Sequence, residues 1–252
     1  MEDLHCWQDK FVSCKYSEQL LNKIVLLNQQ PANYARNQVN ITQIKKAIYY
    51  AKKYHAHQTR DSGEPFYSHP LAVATMVADY CFKTDILVTS ILHDTIEDTS
   101  LDKQTISYIF DDNIAEQVDN LTRIQLNTTI SCKQLLKSLW QNNNQDILIV
   151  KLLDRLHNMQ TISSKSPTKQ LATTKETLVE FGILSIMLKF NNPGNVLFNN
   201  LDQELLNICY KNLFNTIPLT NQEHQFLQNA YQDSYLLPSL SFHNENTQTK
   251  TQ

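Results

Sequence analysis

Glycine is what this chain lacks: 3 residues in 252. Folds rich in β-structure spend glycine on tight turns, and P-loop or Rossmann nucleotide sites spend it on phosphate-cradling loops. Neither is open to a chain with three, so the sequence predicts an all-α protein. Apolar residues recur at helical spacing over 41–55, 68–80, 85–98, 105–110, 114–123, 133–140 and 146–162, and again over 168–190, 201–214 and 220–231. Such lengths suit a compact helical bundle. Asn40 with Gln43, and Thr220 with Glu223, have capping-box spacing, and Ser68 is placed to cap the second helix. Arg60 to Phe66, with Asp61, Ser62, Gly63 and Pro65, reads as a turn-rich loop, and Pro193-Gly194 as a break. Ile147-Leu148-Ile149-Val150 is β-like alone, but Lys151, Asp154, Asn158 and Thr161 continue it as one polar stripe on an apolar helix. From Pro238 onward the chain is polar and is expected to be disordered.

Charge and cysteine usage narrow the function. Against 22 Lys and Arg stand 25 Asp and Glu, a balance of -3 that offers no footprint for a nucleic-acid polymer. A nucleotide partner should therefore be small. No apolar run is long enough to span a bilayer, and Met1-Glu2-Asp3-Leu4-His5 lacks the basic-then-apolar order of a secretory signal, so a cytoplasmic protein is expected. Five dispersed cysteines without a Cys-x-x-Cys pair indicate neither a disulfide framework nor a thiolate zinc site.

The chemistry concentrates in Ile91-Leu92-His93-Asp94-Thr95-Ile96-Glu97-Asp98-Thr99. On a continuous helix His93 and Glu97 stack at i, i+4, with Asp94 and Asp98 beside them, while Val88, Leu92 and Ile96 fall on the far side. Three carboxylates near a helix C-terminus oppose the macrodipole, which calls for a cation. His69, His93, Asp94 and Asp154 are candidates to share one divalent ion. Two imidazoles with two carboxylates suit Mn²⁺ or Fe²⁺ and tolerate Zn²⁺ or Co²⁺. Taken singly, His69 also reads as a capping or core histidine, and Asp154 as a partner of Arg155 or Lys151.

These blocks, in this order, resemble a known family. Arg60 with Ser62-Gly63-Glu64-Pro65-Phe66, His69-Pro70-Leu71-Ala72-Val73-Ala74, Leu92-His93-Asp94 through Glu97-Asp98-Thr99, Leu121-Thr122, and Lys151-Leu152-Leu153-Asp154-Arg155-Leu156-His157-Asn158-Met159 are similar to the hydrolase half of RelA/SpoT-type alarmone enzymes, within the HD-domain metal-dependent phosphohydrolases. The resemblance covers about 47–161. It implies an HD-domain helical bundle with a C-terminal helical appendage: an N-terminal helical extension over 1–39, the HD hydrolase domain over 40–166, a C-terminal helical region over 167–237 and a tail over 238–252.

It implies further that His69, His93, Asp94 and Asp154 hold Mn²⁺, that Glu97 and Asp98 support catalysis, and that Arg60, Asn158 and Thr161 bind a guanine nucleotide. The implied reaction is release of pyrophosphate from the 3′-diphosphate of ppGpp or pppGpp, giving GDP or GTP, as in the stringent response. A phosphohydrolase of another nucleotide, such as NADPH or a deoxynucleotide, and a non-catalytic nucleotide-sensing or partner-binding domain are the alternatives. Two departures bear on them. Asp61 stands where family members usually carry Lys, and 124–145 is short and Asn-rich. After Pro167 no synthetase-type nucleotide sequence is evident, although Lys175-Glu176-Thr177-Leu178 resembles the family's linker helix, so a stand-alone hydrolase is expected; the sequence leaves a protein partner open.

Overall fold

The computed structural model describes residues 6–30, 38–122, 124–125, 128–192 and 196–216. Its elements are α1 (Trp7–Lys10), α2 (Lys15–Asn28), α3 (Ile41–Tyr54), α4 (Ser68–Tyr80), α5 (Thr84–Leu92), α6 (Thr95–Asp98), α7 (Lys103–Ile109), α8 (Asp112–Leu121), α9 (Cys132–Gln141), α10 (Gln145–Gln160), α11 (Pro167–Glu176), α12 (Gly182–Asn191) and α13 (Val196–Thr216). Between α8 and α9 lies a small antiparallel hairpin, β1 (Ile124–Gln125) against β2 (Thr128–Thr129), with Ile124 opposite Thr129. It leaves the all-helical class unchanged. No described helix is long and apolar enough to cross a membrane. The helix expected over 220–231 and the tail over 238–252 lie outside the described residues, as does Pro193-Gly194.

The core explains the order of layers. α4 and α5 lie together, α10 packs on α4, α3 and α8 pack on α5, and α2 closes against α4. Ile48, Leu71, Leu87, Ile91 and Leu92 are fully inaccessible, and Leu20 and Ile24 carry α2 into the same cluster. Burial of each such side chain contributes roughly 1.5–3 kcal/mol. The stretch Ile147–Val150 is helical, as its polar continuation requires, and ten of the sixteen residues of α10 are buried.

Several expectations need correction. Residues 85–98 do not form one amphipathic helix. α5 is buried on all sides from Ile86 to Leu92, and the chain turns at His93-Asp94 before the single turn of α6. Side chains compete with the helix there: His93 Nδ1 lies 2.8 Å from the Ser90 carbonyl, and Thr95 Oγ1 donates to that of Leu92 at 2.6 Å. The Asp98 amide nevertheless donates to the Asp94 carbonyl at 3.0 Å, so the i, i+4 relation of those acids survives. Second, Ser68 does not cap α4. It is the helix's first residue, is buried, and follows Tyr67 in an αR conformation without a side-chain cap. Asn40 does cap α3, its Oδ1 accepting from the Gln43 amide at 3.2 Å, but the Gln43 Oε1 that would complete the box is buried without a partner.

Beyond α10 the long helix expected over 168–190 is divided by a π-turn at Thr177–Phe181. The Arg155 guanidinium sits 4.4 Å from the centre of the Phe181 ring while its Nη2 bonds Glu176 at 2.7 Å, which ties α11 and the π-turn to α10. α13 packs against both α11 and α12, so the C-terminal helices back onto α10.

Candidate metal centre

Three separate elements deliver the donors. His69 comes from the first turn of α4, His93 from the bend after α5, and Asp154 from the middle of α10, with exposures of 2%, 2% and 7%. One ligand atom from each lies within 4.8 Å of the other two, the one such grouping among the described residues. His69 Nε2 is 3.0 Å from Asp154 Oδ1, and His93 Nε2 is 3.7 Å from the same oxygen. Asp94 touches both rings, at 3.0 Å from His93 Nε2 and 3.6 Å from His69 Nε2. Bonds of about 2.1 Å at right angles would set neighbouring ligands about 3 Å apart, so these separations suit a shared ion.

The state of His93 supports that fit. Its Nδ1 is held by the Ser90 carbonyl, which fixes the ring so that Nε2 presents a lone pair in the neutral form. That Nε2 is buried and has no aligned hydrogen-bond partner despite its acidic neighbours. A buried nitrogen between two carboxylates that it does not properly bond is suited to a cation. Without one, protons take its place: burial pushes His93 down, but Asp94 and Asp154 outweigh it and raise its pKa to about 10. Asp94 falls to about 2, its burial outweighed by His93 and His69. Asp154 is held well below the usual carboxylate range, with Lys151 the leading stabiliser against burial.

Asp154 has further partners. Lys151 Nζ stands 3.4 Å from Oδ2, while Oδ1 accepts from Asn158 Nδ2 at 2.7 Å. Arg155, the other partner considered, turns away to Glu176. Asn158 Oδ1 and Thr161 Oγ1 both face Arg60 Nη2 at 3.3 Å, so the three residues expected at the nucleotide converge one turn from the metal donors. Arg60 stands in a tight loop where its amide donates to the Glu64 carbonyl and Gly63 adopts φ +83°, a backbone state that favours glycine. Tyr16 of α2 donates to Glu64 at 2.7 Å, and Asp61 is exposed at the loop tip.

Glu97 and Asp98 lie on α6, the single turn that follows Asp94. Asp98 is open to solvent on one side, yet partial burial and the charges of Asp94 and Glu97 raise it to about 6. Gln58 Nε2 donates to the Asp98 carbonyl at 2.6 Å and its Oε1 engages His55 Nδ1, also at 2.6 Å. Sequence reasoning assigned no role to Gln58, His55 or His157. His157 Nδ1 lies 2.8 Å from His69 Nδ1. Burial, then His69 and Arg60, lower its pKa to about 4. Its place three residues after Asp154, at the edge of the polar stripe, was the available signal.

Residues 47–184 match the family model described as HD domain, more than half of the sequence, and the chain belongs to the HD-domain family. Within that region it is homologous to RelA/SpoT-type proteins. It is 37% identical over 146 residues to the GTP pyrophosphokinase rsh of Brucella ovis, covering 56% of this chain and 20% of that protein. Over 144 residues it is 33% identical to the bifunctional (p)ppGpp synthase/hydrolase SpoT of Escherichia coli K12, covering 55% and 20%. The probable GTP pyrophosphokinase of Mycobacterium leprae is 35% identical over 143 residues, covering 55% and 18%. The chain thus spans about a fifth of the length of the curated relatives it matches.

Proposed function

We propose that this protein hydrolyses the 3′-diphosphate of ppGpp or pppGpp, releasing pyrophosphate and GDP or GTP, with Mn²⁺ held by His69, His93, Asp94 and Asp154. The observation that carries the reading is one helical segment, Asp154 to Thr161, which serves the buried donor cluster and the Arg60 loop at once. Bound there, Mn²⁺ would supply positive charge that polarises a phosphoryl oxygen and acidifies water. Arg60 offers a planar cation to the guanine base, while Asn158 and Thr161 orient the nucleotide without repelling its phosphates. Glu97, four residues after His93, takes the proton of the attacking water. Asp98, whose pKa is raised to about 6 by burial and by Asp94 and Glu97, supplies from its protonated fraction the proton that the ribose 3′-oxygen takes as its bond to phosphorus breaks. We give the acid role to Asp98 because of that raised pKa.

The test is turnover of ppGpp by the full chain with MnCl₂, following pyrophosphate and GDP. Pyrophosphate release that disappears in His93→Ala and Asp94→Ala supports the reading. Asp61 beside Arg60 favours a second one, a different phosphorylated nucleotide, because it puts an anion where a cation would face phosphate. NADPH and deoxynucleoside triphosphates in the same panel decide it: turnover of one of them with ppGpp untouched overturns the ppGpp assignment and keeps the phosphohydrolase.

A further inference from the structure

The contact between His69 and His157 carries information beyond the donor cluster. Two Nδ1 atoms 2.8 Å apart, with ring centroids at 4.8 Å, form one hydrogen bond, so one ring must hold the bridging proton and the other must accept it. The proposed reading of the centre, on which this inference rests, requires a lone pair on His69 Nε2. The His69 proton must then be on Nδ1, and His157 Nδ1 must accept it. We infer that His157 is a positioning residue for the metal centre: it fixes His69 in the Nδ1–H tautomer that leaves Nε2 free to bind the ion, and its own proton resides on Nε2. A carbonyl or carboxylate commonly plays this part beside a ligating imidazole. Here a second imidazole does so, from the α10 turn that also presents Asp154 and Asn158. An Nδ1–H tautomer of His157 would force the opposite arrangement, with the His69 proton on the nitrogen that must ligate.

The experiment measures Mn²⁺ affinity of the metal-stripped full chain by the electron paramagnetic resonance signal of free Mn²⁺. His157→Asn keeps an acceptor near the former Nδ1; His157→Phe keeps the ring volume without one. Wild type and His157→Asn should bind within about 3-fold of each other, and His157→Phe roughly 10–100-fold more weakly. Equal affinity of His157→Phe and wild type overturns the inference, as does His157→Asn binding as weakly as His157→Phe. A second measurement needs no variant: ¹⁵N spectra of the wild-type protein loaded with diamagnetic Zn²⁺ should show His69 protonated on Nδ1 and His157 on Nε2. A proton on His157 Nδ1 overturns the inference while the metal centre stands. Failure of wild type to bind either ion removes the centre itself and the inference with it.

Discussion

An aspartate that titrates near pH 6 is negatively charged at pH 7.5 beside Asp94 and Glu97, and that charge works against the fold. With an unfolded value of 3.8 and a folded value of about 6, the folded protein binds the Asp98 proton more tightly. The contribution to stability is full below pH 3.8 and is lost as pH rises through 6. Asp98→Asn should therefore raise the melting temperature of the metal-free protein at pH 7.5 and leave it unchanged near pH 3.5. Solvent screening of the exposed carboxylate limits the gain to about 2–4 °C. The same change removes the proposed acid and should slow ppGpp hydrolysis by about 10²–10⁴. Calorimetry at the two pH values, with a turnover assay beside it, would refute the assignment if activity persisted. The residue types of the cluster were legible because two imidazoles and two aspartates recur in recognisable local blocks. The role of His157 was not, because a histidine on a polar stripe looks the same in sequence whether it faces water or another ring.

The bend at His93-Asp94 shows which parts of an element a sequence conceals. A helix broken for two residues and resumed in phase keeps nearly the same apolar spacing as an unbroken one, so periodicity predicts 85–98 as a unit. What breaks it is hydrogen bonding to the Ser90 and Leu92 carbonyls, which depends on burial that the sequence does not display. The π-turn at Thr177–Phe181 was hidden for a similar reason, since Phe181 is held by Arg155 from another helix. In contrast, α10 was legible through its β-like start because the polar stripe runs past it. Thr95→Val keeps shape and removes the bond to the Leu92 carbonyl, leaving a buried acceptor unpaired. It should cost about 1–3 kcal/mol and weaken Mn²⁺ binding, because the turn that aims Asp94 loses its anchor. Asp111→Ala is the matching control. Asp111 caps α8 through the Ile114 amide at 2.8 Å, so its loss should cost about 1 kcal/mol with Mn²⁺ affinity unchanged. Urea denaturation and metal titration of both variants would separate local aiming from general loosening; equal metal affinities would defeat the Thr95 argument.

At the scale of the whole molecule the proposed donors would act as a cross-link around a bound ion. His69, His93 and Asp154 are drawn from α4, the bend after α5, and α10, and the C-terminal helices grip α10 from behind through Arg155, Glu176 and Phe181. An unfolded chain does not hold these atoms together, so an ion that binds them binds mainly the folded state. At 100 times its dissociation constant it adds about 2.7 kcal/mol. For a chain of this size that corresponds to a melting-temperature rise of about 5–11 °C. The rise should appear with MnCl₂, vanish with EDTA, and be absent in Asp154→Asn, which keeps shape and most hydrogen bonds but weakens an ionic ligand. Packing of α12 and α13 on α10, with α11 tied to α10 by Arg155 and Glu176, makes the shift a displacement of one cooperative transition rather than the growth of a second. Differential scanning calorimetry over a metal series distinguishes these outcomes. A melting temperature insensitive to divalent ions in the wild type, or an equal rise in Asp154→Asn, would mean that the cluster does not hold the molecule together around an ion.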